Sequence, residues 1–392
     1  MTSGEKLFFF ILTFSFLLAN TVPLEFSLVP IINCYDLNGN KSSDFVAMSN
    51  SDLPRTLYHI ELSSTNAEIL WEYTMPEDKK GYFVDVILGD FDNDGTVELI
   101  AAAYQDEKND IFYIFSANAT GFHDAPPIVT GLQNISSTIN NPRRLYPLET
   151  DANQPSMFLF SQGSPNRKII MCEFLDDKII ARGSVGEKFL NNTIAPIDIA
   201  LGDFNGDSGE DIFILDNGFN PTGYFIYSDG NKEESNLSDY PRLQLLNEKG
   251  VDINFDGIDD LVIINRSGEL MSNIWGTKSI SFSDEKIENI IINSDNGFIY
   301  LTGISQTGKV LNYSIDPLTL SILTTNIELP AFVKTDYSHV FSLITADEII
   351  ISHNGGHPEI WLTPLAMELI TDTPPPIHLQ RIYYQEPDYV IN

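Results

Sequence analysis

Hydrophobic residues in this chain fall in short runs separated by clusters of Asp, Asn, Gly and Ser, and long helical periodicity is absent after the N-terminal segment. Runs such as Val84-Asp85-Val86-Ile87-Leu88 and Leu99-Ile100-Ala101-Ala102-Ala103-Tyr104 have the length and composition of strands. Between them lies Asp90-Phe91-Asp92-Asn93-Asp94-Gly95-Thr96-Val97-Glu98, with oxygen-bearing side chains at its first, third, fifth and ninth positions and glycine at the sixth. A hard cation such as Ca²⁺ takes six to eight oxygens, and a glycine after the third ligand permits the turn that brings the last carboxylate back. An EF-hand opens in the same way but closes at position twelve between helices. Here the loop closes at nine between strands, so the pattern predicts a hairpin-borne metal loop.

The same spacing recurs. Asp36, Asn38, Asn40 and Asp44 form one copy, Asp203, Asn205, Asp207 and Asp211 another, and Asp252, Asn254, Asp256 and Asp260 a further one. In each, the ninth-position acid leads directly into an apolar run, as in Asp211-Ile212-Phe213-Ile214-Leu215. Asp36 to Asp90 and Asp203 to Asp252 are each separated by roughly 50 residues, the length of a four-stranded propeller blade. Asp90 to Asp203 spans about two such periods, with a degenerate copy at Asp151-Ala152-Asn153-Gln154-Pro155 near the midpoint. Two further periods fit after Asp260, through Asn293-Ser294-Asp295-Asn296-Gly297 and through Thr345-Ala346-Asp347. The remaining alternating runs, such as Tyr224-Phe225-Ile226-Tyr227 before Ser228-Asp229-Gly230-Asn231, read as outer hairpins. The expected fold is all-β, a seven-bladed β-propeller with calcium loops in several blades.

Gly89-Asp90-Phe91-Asp92-Asn93-Asp94-Gly95 and Gly202-Asp203-Phe204-Asn205-Gly206-Asp207, with their flanking strands, resemble the FG-GAP (VCBS-like) repeats of the calcium-loop propeller family that includes integrin α heads. The resemblance covers blades one, two, four and five by motif and the others by spacing. It implies that the loops join neighbouring strands on one rim, with ligands taken on the opposite rim or the side surface. Matched residue by residue, it implies two to four Ca²⁺ sites of unequal strength. Asp90, Asp92, Asp94 and Glu98 supply four carboxylates, although glutamate replaces the family's more usual aspartate at position nine. The Asp252 loop keeps Gly257 at the turn. The Asp203 loop has Ser208 there, which requires a left-handed backbone of a residue with a Cβ. The Asp36 loop has two charges and Lys41 at the turn, so weak binding or a metal-free turn is expected.

Composition narrows the setting. The chain has 392 residues, 43% of them hydrophobic, and a formal net charge of −33. That charge argues against nucleic acid and anionic membrane surfaces as partners. Lys6 followed by the apolar run Leu7 to Ala19 reads as a signal peptide over 1–21, with an uncleaved N-terminal anchor as the alternative. The propeller is expected over 28–370 and a Pro-rich exit with a tail or closing strand over 371–392. Export implies a secreted, periplasmic or cell-surface protein with no membrane insertion beyond the signal segment, and a monomeric propeller is expected. Cys34 and Cys172 are too few for a disulfide framework, and their pairing stays open.

No nucleophile triad, metalloprotease motif or phosphate loop is present. His353 and His357 flank a glycine turn, Glu233, Glu234 and Asp239 read as a solvated loop, and Trp71, Trp275 and Trp361 as packing residues. The expected function is non-catalytic binding or adhesion, with an extracellular protein or glycan as partner. A polysaccharide lyase or hydrolase on a calcium-bearing propeller is the alternative, and a quinone-cofactor propeller, suggested by Ile69-Leu70-Trp71-Glu72-Tyr73, ranks last.

Overall fold

The computed structural model describes the chain between Asn20 and Pro364 apart from a series of connecting stretches. The longest of these are 135–141, 149–156, 186–196, 280–286 and 329–340, and side chains are described within the span Leu37 to Ile263. The segment 1–19, the tail 371–392, the degenerate copy at Asp151–Pro155, and Asp36 and Asn254 lie outside the described residues. So do the side chains of Cys34, Trp275 and Trp361.

Among the described residues every regular element is a strand. Consecutive strands pair antiparallel in meanders of four. The first meander is Leu28–Tyr35, Ser43–Ser49, Thr56–Leu62 and Ala67–Thr74. The second is Gly81–Gly89, Glu98–Gln105, Lys108–Asn118 and Ile128–Gln133, and the third runs from Pro142–Leu148 to Lys178–Val185. These two fuse through a short parallel pairing, Leu132 opposite Ile179 and Gln133 opposite Ile180, into a sheet of nine strands, the ninth being the short Gly121–Phe122 strand paired to Lys108–Asn118. The fourth meander opens with Ile197–Gly202 and Asp211–Asp216, the fifth with Gln244–Leu245 and Val262–Ile264, and the sixth with Ile287–Asp295 and Phe298–Ser305.

The last sheet takes three strands from the chain's end and one from its beginning. Phe341–Ile344, Glu348–His353 and Glu359–Pro364 are completed by Asn20–Pro23, with Asn20 opposite Leu362 and Val22 opposite Ile360. The pairing joins the two ends of the described chain and covers what is otherwise an open edge. The strand lies upstream of the 28–370 span that the repeats delimit.

Why both faces of the inner strands are apolar follows from the packing. Val86, Leu88, Leu99, Ala101 and Ala103 turn toward Val46, Leu57 and Trp71 of the first meander. Their neighbours Ile87, Ile100 and Ala102 turn the other way, onto Leu145, Phe158 and Ile170 of the third. The fourth meander repeats this, with Ile199 and Leu201 facing Tyr146 and Leu159, and Ala200 and Phe213 facing Leu245 and Ile263. A sheet buried on both faces needs a near-continuous apolar run, which is the pattern the sequence shows.

Polar groups pin the meanders to one another. Asp85, buried in the inner strand of the second, accepts the N–H of Leu145 in the third at 2.7 Å. Asp198, five residues before Asp203 as Asp85 is before Asp90, accepts the N–H of Leu245 in the fifth and faces Arg144 of the third. Burial pushes the Asp198 carboxyl above its ordinary range, against the opposing pull of Arg144 and Leu245. Arg55 does comparable work on the link between the first two meanders. Its guanidinium donates to the carbonyls of Lys79, Gly81, Met75 and Pro76 at 3.0, 3.0, 3.1 and 2.8 Å.

Candidate metal centre

Each acidic loop joins the first two strands of its meander. Strand register sets its two ends opposite one another: Gly89 pairs with Glu98, and Gly202 with Asp211. The second loop residue is an apolar plug. Phe91 is buried against Phe158 of the next meander, ring centres 5.8 Å apart, and Phe204 packs on Phe225 at 5.7 Å. The plug's own N–H donates to the ninth-position carboxylate. Phe91 reaches Glu98 at 2.9 Å, Phe204 reaches Asp211 at 2.8 Å, and Leu37 reaches Asp44 at 3.0 Å. One bond thus orients the closing acid in three loops.

Inside the Asp90 loop, backbone N–H groups converge on the first acid. Asp94 donates to Asp90 Oδ1 at 3.0 Å and Gly95 to Asp90 Oδ2 at 2.9 Å. The turn is left-handed at Asn93 (φ 60°) and Gly95 (φ 85°). Asp90, Asp92 and Glu98 each place one carboxylate oxygen within 4.8 Å of the others, the one such acidic group among the described residues. Asp94 stands apart from it, its carboxylate held below the ordinary range by the hydroxyl and amide of Thr96. Glu98 is pushed up to about 8, chiefly by burial and then by Asp92, Asp90 and Asp94, while the Phe91 N–H opposes the shift. Asp92 is also raised, by burial first and by its two acidic neighbours. Three crowded oxygens that repel one another when ionised suit a divalent cation, and an all-oxygen donor set suits Ca²⁺.

The Asp203 loop follows the same wiring. Asp203 Oδ1 accepts from Gly206 and Asp207 at 2.7 and 3.1 Å, and Oδ2 from Ser208 at 2.8 Å. Ser208 has φ 65°, the left-handed geometry that Gly95 and Gly257 adopt without a Cβ. Ser228, in the next hairpin, donates its N–H to Asp211 at 2.7 Å and its hydroxyl to Asp207 at 3.1 Å. The buried Asp211 is raised by desolvation and by Asp207 and Asp203. The Asp252 loop repeats the contacts to its first acid, with Asp256 at 3.0 Å and Gly257 at 2.8 Å, and its closing Asp260 is buried.

The first loop is closed by protein groups. The side-chain amides of Asn38 and Asn40 both donate to Glu61, and the buried Asp44 lies 3.3 Å from the buried His59 Nε2. The two amides thus meet a protein carboxylate, in keeping with the low charge count of that loop, while Asp44 Oδ1 and both ring nitrogens of His59 are buried without a hydrogen-bond partner among the described residues.

The other sequence candidates are placed as follows. Trp71 is buried between Phe115 and Phe122, its indole N–H on the His123 carbonyl at 3.1 Å. Cys172 is a buried thiol that donates to the Ile170 carbonyl at 3.7 Å. The Glu233–Glu234 segment corrects the loop expectation: it belongs to the exposed strand Lys232–Asn236, where Glu233 accepts the Tyr227 hydroxyl at 2.9 Å. Its strand pairing to Thr222–Ile226 outweighs the charge pattern that read as a loop. The acids Asp85 and Asp198 were the residues that motif spacing left aside, although their shared offset from the loops is visible in the chain.

No family model matches the chain, and no curated protein does. Among the solved structures similar to it are two propellers. One is the Dos1 propeller, at 9% identity and TM-score 0.47, covering 82% of this chain and 76% of that one. The other is Saccharomyces cerevisiae Sqt1, at 11% identity and TM-score 0.50, covering 85% of this chain and 82% of that one. Sqt1 is itself a propeller, and its match spans most of both chains. The fold is a β-propeller. In a propeller each meander is a blade, and the acidic loops join each blade's first strand to its second.

Proposed function

We propose that this chain is a seven-bladed β-propeller of the FG-GAP (VCBS-like) kind, stabilised by Ca²⁺ in two or more acidic loops and acting as an exported, non-catalytic binding module for a protein or glycan. The blade count rests on the four-stranded meanders, with the last blade closed by Asn20–Pro23, so in this reading the leader ends at Ala19 and leaves that strand on the exported chain. The observation that carries the calcium reading is the convergence of Asp90, Asp92 and Glu98, built on an oxygen-ligand spacing that recurs in the Asp203 and Asp252 loops. Asp90, Asp92 and Glu98 would hold the ion in the second blade, and Asp203, Asn205, Asp207 and Asp211 in the fourth. When bound, calcium offsets the mutual repulsion of the acids and stabilises the folded loop by linkage. The chain's own part is to present these oxygens on a turn fixed by backbone N–H groups, so that the rim is stiff and the opposite rim and side surface are free for a partner.

Two measurements test this. Melting of the full chain in Ca²⁺ and in EDTA is expected to differ by at least several degrees, and an unchanged melting temperature overturns the calcium reading. Binding on arrays of extracellular proteins and glycans, run beside an activity screen on a polysaccharide panel, is expected to give calcium-dependent binding without turnover. Turnover of a polysaccharide overturns the non-catalytic assignment.

A further inference from the structure

Asp259 occupies the eighth position of the fifth-blade loop, which is not one of the ligand positions, and it reaches into the neighbouring blade. Its Oδ2 accepts the N–H of Asp203 at 2.8 Å, and its own N–H donates to the Asp203 carbonyl at 2.8 Å. Alongside, the Gly250 N–H donates to the Leu201 carbonyl at 2.6 Å. The carboxylate fits because two glycines clear a slot for it. A Cβ on Gly202 would stand 2.7 Å from Asp259 Oδ2, and one on Gly250 would stand 2.6 Å from Asp259 Cβ. The first acid of loop four is therefore held by its main chain to loop five, while its side chain gathers the N–H groups of Gly206, Asp207 and Ser208. On the other side, Asp259 stands between Ile258, whose N–H donates to Asp256 at 2.9 Å, and the closing acid Asp260. Ordering either loop orders the residue that the other depends on. The Asp90 loop is wired differently: its eighth residue is Val97, whose carbonyl accepts Ala117 within the same blade at 2.8 Å.

We propose that Asp259 couples the cation sites of blades four and five, so that filling one raises the affinity of the other, while the Asp90 site fills independently. The proposal rests on the reading of both loops as calcium sites. Coupling of this kind is reciprocal, so each site must shift the other by the same factor.

The test is hydrogen exchange of the full chain followed by mass spectrometry across a titration with Ca²⁺ alone, reading peptides over 90–98, 203–211 and 252–260. Silencing loop five with Asp252→Asn and Asp256→Asn is expected to move the midpoint of the 203–211 peptide to about 5- to 10-fold higher calcium. The 90–98 midpoint stays where it was. In an Asp259→Ala background the same silencing moves nothing. A missing shift with Asp259 in place, or an equal shift without it, overturns the coupling while calcium binding stands. Absence of calcium-dependent protection in all three peptides overturns the calcium reading and the coupling together. If Asp259→Ala does not fold, Asp259→Ser, whose hydroxyl is too short to reach the Asp203 N–H, takes its place, and an undiminished shift of the 203–211 midpoint in that background refutes the proposal.

Discussion

Adding Ca²⁺ to the cation-free protein at pH 7 is expected to release close to one proton from the Asp90 loop. Glu98 carries the argument, because burial and the neighbouring Asp92, Asp90 and Asp94 push its carboxyl up to about 8. With that value about nine in ten molecules hold the proton at pH 7, and a ligating carboxylate must give it up. Apparent affinity at this site therefore rises by about tenfold per pH unit up to roughly pH 8 and flattens above. The sign for stability follows the same logic. In the cation-free protein the folded state binds a proton that the unfolded chain, with an ordinary value of 4.5, has lost. The contribution of Glu98 is fully present below pH 4.5 and is lost as pH rises through about 8. Bound calcium takes over the proton's role and removes that loss. Titration calorimetry at pH 7 in buffers of different ionisation enthalpy reads the proton count as a slope. The slope is expected to fall by about 0.9 in Glu98→Gln. An identical slope in the wild type and Glu98→Gln would refute the electrostatic account of this loop.

Three other outcomes follow from the packing. Arg55→Ala removes a donor from four backbone carbonyls, of which Pro76 keeps the Lys79 N–H, and is expected to cost about 2 to 4 kcal/mol in denaturant unfolding, with Arg55→Lys recovering only part because an ammonium cannot span the fork. Asp85→Ala strands the buried N–H of Leu145 and is expected to cost about 1 to 3 kcal/mol by the same assay; a change within error would show that the inter-blade bond is dispensable. Ser208→Gly relieves a left-handed serine at φ 65° and is expected to raise stability by roughly 0.5 to 1 kcal/mol, with tighter calcium binding read by titration. A loss of stability there places the serine hydroxyl in a role beyond the turn.

The loops and their period were legible in the sequence because the determinants are local. A ligand at every second position, an apolar second residue and a strand directly after the ninth acid all sit within one short stretch, and the same stretch recurs. Apolar runs without clean alternation were legible too, since strands packed on both faces have no polar side to show. Other features depend on residues far apart in the chain. Asn20–Pro23 has four residues and no periodicity of its own, so its pairing to Glu359–Pro364 leaves no trace in the local pattern. Asp259 looks like one more acid in an acidic loop, and only the slot between Gly202 and Gly250 shows that it serves the neighbouring blade. His59 beside Asp44 is similar: its place on the Thr56–Leu62 strand reads as an ordinary alternation, and only the sheet brings it to the loop. Asp85 and Asp198 fall between these cases. Their common offset before the loops was in plain view, but a single buried acid in an apolar run suggests no partner until the next blade is in place.

The central claim, that these loops hold calcium, is tested most directly by a crystal structure of the full chain grown in calcium. The account predicts a strong peak between Asp90, Asp92 and Glu98, with oxygen distances of about 2.3 to 2.6 Å. Weaker peaks are predicted in the Asp203 and Asp252 loops and none between Asn38, Asn40 and Glu61. An Asp90 loop with no ion among its carboxylates contradicts it.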